Sequence, residues 1–141
     1  MAVENIGLEL RIVSNLIYNR ANQMTMETEG LTIHQWWILE YLTENEGREI
    51  YQKDIETLFS IKRASANEML RTMENRGYIR RMVSTEDARK NTLSITEEGM
   101  TAKGHLQKHL SDFMDKLHGD ISKSELEQFQ NTLHKLWHNI E

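Results

Sequence analysis

Not one proline occurs in the 141 residues, and only seven glycines do. Proline breaks helices and glycine weakens them, so a chain nearly free of both runs in long helices joined by short connections. Apolar residues make up 38% and charged residues 28%. A chain of this length buries roughly two thirds of its unfolded surface, enough for one hydrophobic core. With no cysteine, a disulfide framework, a cysteine nucleophile, an iron–sulfur centre and a thiol redox sensor are excluded. No window approaches the roughly 20 apolar residues of a membrane span, and residues 1–10 lack the basic flank and apolar run of a secretory signal. The expectation is a soluble cytoplasmic protein without membrane contact.

Apolar residues then divide the chain. Val3, Ile6, Leu10, Val13, Leu16 with Ile17, Arg20 and Met24 recur at three- and four-residue steps, which predicts a long helix over 3–26 closed near Gly30. Thr32 and Gln35 form a capping box that opens a helix over 33–44. Residues 51–59 read as a short helix with Ile55, Leu58 and Phe59 inward. A break at Ser60-Ile61 leads to a helix over 62–76, with Ala64, Ala66 or Asn67, Leu70, and Met73 or Glu74 in its stripe and Gly77 as its stop. Two short helices this close have the outline of a helix-turn-helix. The period changes to two at 78–83 and again at 92–96, which predicts a β-hairpin. Thr96 with Glu97 and Glu98 starts a helix to about 117, and Gly119 breaks it. Ser122 and Glu125 cap a last helix striped by Leu126, Phe129, Leu133, Leu136 and Ile140. The fold expected is mainly α with one small hairpin, in a single domain. Its terminal helices carry more apolar face than the small middle can cover, so a second copy of the chain is the expected partner.

Charge is unevenly spread. The net charge is −5, yet residues 60–90 hold eight Lys/Arg against four acids, and the rest of the chain sums to −9. A local positive face holds a polyanion even on an acidic body. In a helix-turn-helix the second helix enters the major groove of duplex DNA, and Lys62, Arg63, Ser65, Asn67 and Arg71 are its polar side chains. The Asn67 amide has the geometry for a bidentate contact to adenine. At the hairpin tip Arg89 suits the minor groove, Asp87 is near enough to orient it, and Lys90 suits a phosphate. The competing reading makes these the solvated side of a surface helix and an ordinary charged turn.

Other constellations are weaker. Trp36 and Trp37 are adjacent and face about 100° apart, so both cannot point into one core. Core packing is the first reading of each. His105 and His109 are four apart, the spacing of a metal pair, but a solvated or capping pair is the favoured reading and no metal is expected. His34 and Glu29 are a lone pair of no special geometry. No phosphate-binding glycine loop, HExxH, nucleophile elbow or CxxC is present, so neither an enzyme nor a cofactor is expected.

Three stretches carry a resemblance over nearly the whole chain: Leu31-Thr32-x-x-Gln35-x-x-Ile38-Leu39; Gln52-Lys53-Asp54-Ile55 through Ile61-x-x-Ala64-Ser65-Ala66 to Leu70-x-x-Met73-Glu74-x-x-Gly77-Tyr78-Ile79; and Asp87-Ala88-Arg89-Lys90 followed by Leu93-x-Ile95-Thr96-x-x-Gly99. The chain resembles the MarR family of bacterial winged helix-turn-helix regulators, whose wing usually reads Asp-x-Arg. The resemblance implies dimerisation helices at 3–29 and 97–141, the helix-turn-helix at 51–76 and the wing at 78–96. It further implies a homodimer on a pseudo-palindromic operator, acting as a repressor that leaves DNA when a small molecule enters a cleft between the dimer helices and the DNA-binding lobe. Asn15, Asn19, Trp36, Trp37 and His109 are the candidate lining, and a small aromatic effector suits such walls. Peroxide-sensing relatives carry a cysteine near the start, which this chain lacks. In zinc-sensing relatives other ligands fall where Trp36 and Trp37 stand, and indoles do not ligate. The alternative from another class is a helical protein-interaction or oligomerisation module without specific DNA binding.

Overall fold

The computed structural model describes residues 5–141. Its elements are α1 (Ile6–Glu29), α2 (Ile33–Glu44), α3 (Gln52–Phe59), α4 (Arg63–Asn75), β1 (Ile79–Val83), β2 (Asn91–Ile95), α5 (Glu97–His118) and α6 (Lys123–Ile140). They fall into two compact units, one ending at Leu110 and one from Ser111 to Glu141, described separately below.

In the first unit α1 starts where the Asn5 side chain accepts the Leu8 N–H, and Val3 lies outside the described residues. The helix runs past the expected end at residue 26, because termination is set by cap geometry and not by the apolar stripe. Only at Gly30 (φ 65°) does the backbone turn left-handed, with the Gly30 N–H on the Met26 carbonyl. Such a φ favours glycine. The exposed carbonyls of Glu29 and Gly30 are then taken by the Arg76 guanidinium, at 2.9 and 2.6 Å. The expected capping box forms: Thr32 accepts the Gln35 N–H and Gln35 accepts the Thr32 N–H. Asn22 of α1 adds a hydrogen bond from the Ile33 N–H, fixing the angle between α1 and α2.

The core of this unit gathers Leu31, Ile38, Leu39, Ile55, Leu70 and Leu106, all without solvent contact. Two expected inward residues lie outside it. Leu58 is 42% exposed: Leu58 and Phe59 diverge by about 100° on α3, and only Phe59's side is covered, by His34 and Trp37 of α2. Ala64 is exposed because it faces away from the Ala66, Leu70 and Met73 stripe that α4 buries. Between α3 and α4 the turn is sharp. Ser60 adopts the left-handed conformation (φ 51°), and the Ile61 N–H closes on the Glu56 carbonyl at 3.0 Å.

β1 and β2 pair antiparallel from Ile79↔Ile95 to Val83↔Asn91, with Ile79 and Leu93 buried at the base. α5 begins against that base. Thr96 accepts the Gly99 N–H and donates to the Gly77 carbonyl, and a Cβ on Gly99 would stand 2.2 Å from the Tyr78 carbonyl oxygen. Gly99 is therefore required by close approach.

In the second unit Gly119 (φ 53°) ends α5, and the Ser122–Glu125 capping box opens α6. No residue of α6 is buried. Leu126, Leu133 and Leu136 are half-buried, while Phe129 at 52% and Trp137 at 58% exposure stand open. No helix among the described residues is long and apolar enough to cross a membrane.

Candidate nucleic-acid interface

Burying Ala66, Leu70 and Met73 leaves one flank of α4 outward, and along it the exposed Arg63, Asn67 and Arg71 follow one another at four-residue intervals. Lys62 is the N-cap residue, with extended backbone. Ser65 is exposed too, but it lies about 200° around the helix from Asn67.

The hairpin brings the other cations to the same place. Arg63 and Asn67 of α4, Arg89 and Lys90 of the tip, and Gln52, Lys53, Arg81 and Asn91 line one concave face of about 1070 Å³. Five cations face two carboxylates there. Both carboxylates are engaged, Asp54 by the Tyr51 N–H at 2.8 Å and Glu56 by Lys53 at 3.7 Å. Arg81 braces the floor, donating to Gln52 at 3.3 Å and pairing with Glu74 at 3.7 Å, while Gln52 donates to the Arg63 carbonyl at 3.4 Å.

At the tip Asp87 takes the Arg89 guanidinium with both oxygens, at 3.1 Å each, and the Arg89 N–H at 3.0 Å. The Arg89 side chain and backbone N–H together hold the Asp87 carboxyl below its ordinary range, and Asp87 raises Arg89 in turn. An exposed pair of this kind contributes little to stability. Its effect is geometric, since a long side chain otherwise free in solvent is given one direction. Lys90 is placed by a different contact, its ammonium 5.1 Å from the centre of the Tyr51 ring.

Of the residues singled out from sequence, Arg63, Asn67, Arg89 and Lys90 meet on this face, with Asp87 behind Arg89. Lys62, Ser65 and Arg71 are exposed on α4 but do not line it. Gln52, Lys53, Arg81 and Asn91 were not singled out. For Gln52 and Lys53 the signal was position, at the first turn of the helix preceding α4; for Arg81 it was the period of two, which sets its side chain apart from those of Arg80 and Met82.

Elsewhere in this unit His34 and Glu29, which the sequence sets near each other with no special geometry, part company in space. The His34 ring lies 4.9 Å from Tyr18, 5.3 Å from Trp37 and 5.0 Å from Phe59, centre to centre, and burial lowers its pKa. Glu29 instead meets His105. Trp37 is 40% exposed in that cluster, whereas the buried indole N–H of Trp36 has no hydrogen-bond partner. Asn15, Asn19 and His109 are exposed on α1 and α5. Among the described residues no three His, Cys, Asp or Glu side chains gather as a metal site.

A family model described as MarR family matches residues 29–90, the span from the end of α1 to the wing tip. Over residues 29–90 the chain matches the MarR family of winged helix-turn-helix regulators. An HTH-type transcriptional regulator of Bacillus subtilis (strain 168), YwaE, is 26% identical over 145 aligned residues, covering 99% of this chain and 85% of that protein. Among solved structures, MarR from Oenococcus oeni PSU-1 is 26% identical with a TM-score of 0.77, covering 94% of this chain and 98% of that one. S. aureus MepR, in a complex with DNA, is 22% identical with a TM-score of 0.84, covering 95% and 97%, and shows the shared fold. MarR-family regulators generally bind DNA, typically as dimers, and are not enzymes. Within the matched span and the wing, the concave face between α4 and the hairpin is where cations, amides and an oriented arginine converge.

Proposed function

We propose that the chain is a sequence-specific double-stranded DNA-binding transcriptional regulator. It works as a homodimer on a pseudo-palindromic operator, as a repressor released by a small aromatic effector. The observation that carries the reading is the convergence of Arg63 and Asn67 of α4 with Arg89 and Lys90 of the wing on one face. α4 supplies the major-groove contacts, with Asn67 on a base and Arg63 on a base or phosphate. Arg89, held by Asp87, enters the minor groove, Lys90 neutralises a phosphate, and Lys62 and Arg71 extend the contact along α4, while Ser65 lies on another side of the helix. Exposed apolar residues along α1 and α6, among them Leu16 and Phe129, support the homodimer. The half-open cluster of Tyr18, His34, Trp37 and Phe59 supports an aromatic effector, because an aromatic ring stacks on such walls. Asn15, Asn19, Trp36 and His109 are the further candidates for its lining.

Fluorescence anisotropy with labelled duplexes across a salt series tests this. Lys90→Ala is expected to weaken specific and random duplexes alike and to lower the salt slope by about one. Asn67→Ala is expected to cost about 1–3 kcal/mol on the preferred site and to relax specificity there. Equal affinity of wild type and both variants for every duplex would leave the oligomerisation-module reading in its place.

A further inference from the structure

The contacts that orient Arg89 do not end at Asp87. Ser84, buried where β1 leaves the sheet, accepts the N–H groups of Glu86 and Asp87 on its hydroxyl oxygen at 3.1 and 3.0 Å and donates its own proton to Glu49 at 2.6 Å. Glu49 lies 35 residues earlier, in the segment leading into α3. Its carboxylate also accepts the Thr85 N–H and hydroxyl, at 2.8 Å each, and the Tyr51 hydroxyl at 2.5 Å. Tyr51 is the residue whose ring lies beneath the Lys90 ammonium.

One carboxylate thus stands at the root of two paths. The first runs from Glu49 through Ser84 and Asp87 to Arg89, the second from Glu49 through Tyr51 to Lys90. Four donors on one anion are more than solvent exposure alone would assemble. They hold the Glu49 pKa down at about 2, the Ser84 hydroxyl contributing most, then Tyr51 and Thr85. The anion is therefore present at every physiological pH. The hairpin has a second tie at its other strand, where the Leu93 N–H meets the Ile50 carbonyl at 2.7 Å. That tie holds β2. The tip is held from the segment before α3 by the Glu49 contacts and by Tyr51, whose hydroxyl also lies 3.3 Å from the Ser84 hydroxyl.

We propose that Glu49 is the positioning residue of the wing, setting where Arg89 and Lys90 stand relative to α4 through Ser84 and Tyr51. The proposal rests on the reading of α4 and the wing as a DNA interface. It adds a residue that makes no DNA contact itself, and whose negative charge would otherwise oppose binding.

The test uses the full chain, with Glu49→Ala to remove the root and Ser84→Ala to cut the first path while leaving the carboxylate in place. Without DNA, amide hydrogen exchange at Thr85 is expected to accelerate at least tenfold in Glu49→Ala, and at Glu86 and Asp87 in Ser84→Ala, with α2 and α4 unchanged. With a preferred duplex, Glu49→Ala is expected to weaken binding about tenfold despite removing a negative charge. Adding Arg89→Ala to either variant should then cost less than twofold, against about tenfold in the wild-type background. A merely structural role would give multiplicative losses and faster exchange in α4, and that result overturns the proposal. Unchanged exchange at the tip overturns it as well. Failure of the wild type to bind any duplex defeats the DNA reading instead, and the exchange data still decide whether Glu49 anchors the wing.

Discussion

α4 and α6 are written in the same pattern and have opposite surroundings. Each carries apolar residues at three- and four-residue steps. In α4, Ala66, Leu70 and Met73 are without solvent contact. In α6, which is capped better, with Ser122 and Glu125 bonding each other's backbone, nothing is buried and Trp137 remains 58% exposed. Periodicity states which face of a helix is apolar; it does not state what covers that face. For α4 the cover is α3 and β1 of the same unit. For α6 the second unit covers Leu126, Leu133 and Leu136 only in part and leaves Phe129 and Trp137 open, and an apolar stripe of this length left so calls for a partner. The proposed homodimer supplies one.

The comparison breaks most forcefully at Leu70. Truncation to alanine in a closed core loses transfer energy and leaves a cavity, so Leu70→Ala is expected to destabilise the fold by about 2–5 kcal/mol at any protein concentration, read by urea unfolding. A cost below ~1 kcal/mol would mean that the α4 stripe is not the core it forms here.

For α6 the expected effect depends on concentration. The wild type should sediment at about 33 kDa, twice 16.6 kDa. Leu133→Glu with Leu136→Glu, which puts two unpaired carboxylates into the proposed seam, should weaken association on the order of a hundredfold. Circular dichroism of the variant at high concentration separates a folded monomer from an unfolded chain. A wild type that is monomeric at micromolar concentration by sedimentation equilibrium would leave the α6 stripe without the partner proposed for it.

What the sequence made legible follows the range of the interaction. Contacts between neighbours in the chain were readable: the Thr32–Gln35 and Ser122–Glu125 boxes span three residues, Gly30 and Gly119 stop helices, and Asp87 sits two residues from Arg89. The outward face of α4 was readable in part, since Arg63, Asn67 and Arg71 share a helical repeat, but the same reading took in Ala64 as an inward residue and gave no sign that Ser65 points elsewhere. Contacts set by tertiary approach were not. Glu49 and Ser84 carry no shared pattern, and Arg76, which reads as one more cation of the basic segment, is committed to the carbonyls that end α1. The surroundings of His34 are illegible in sequence for the same reason. This residue lies five positions from Glu29 in sequence, while in space its neighbours come from three helices: Tyr18 of α1, Trp37 of α2 and Phe59 of α3.

That histidine gives the mildest way to sharpen the contrast between a covered and an uncovered site, because its cluster is partly open. Burial disfavours the imidazolium, so the folded pKa of His34 lies below the ordinary value of 6.5. The unfolded chain then takes up the proton first as pH falls. The contribution of neutral His34 is fully present above pH 6.5 and is lost as pH drops through that value toward the lowered one. Thermal stability should decline shallowly over this window, together with the emission of Trp37, whose ring meets His34 nearly edge-on at 86°. His34→Phe keeps an aromatic ring and removes the proton, so its stability and fluorescence should be flatter over the same window. Because only the difference between the two profiles belongs to His34, matching slopes would mean that the imidazole is as well solvated when folded as when unfolded, and that the aromatic cluster stands as open to water as the stripe of α6.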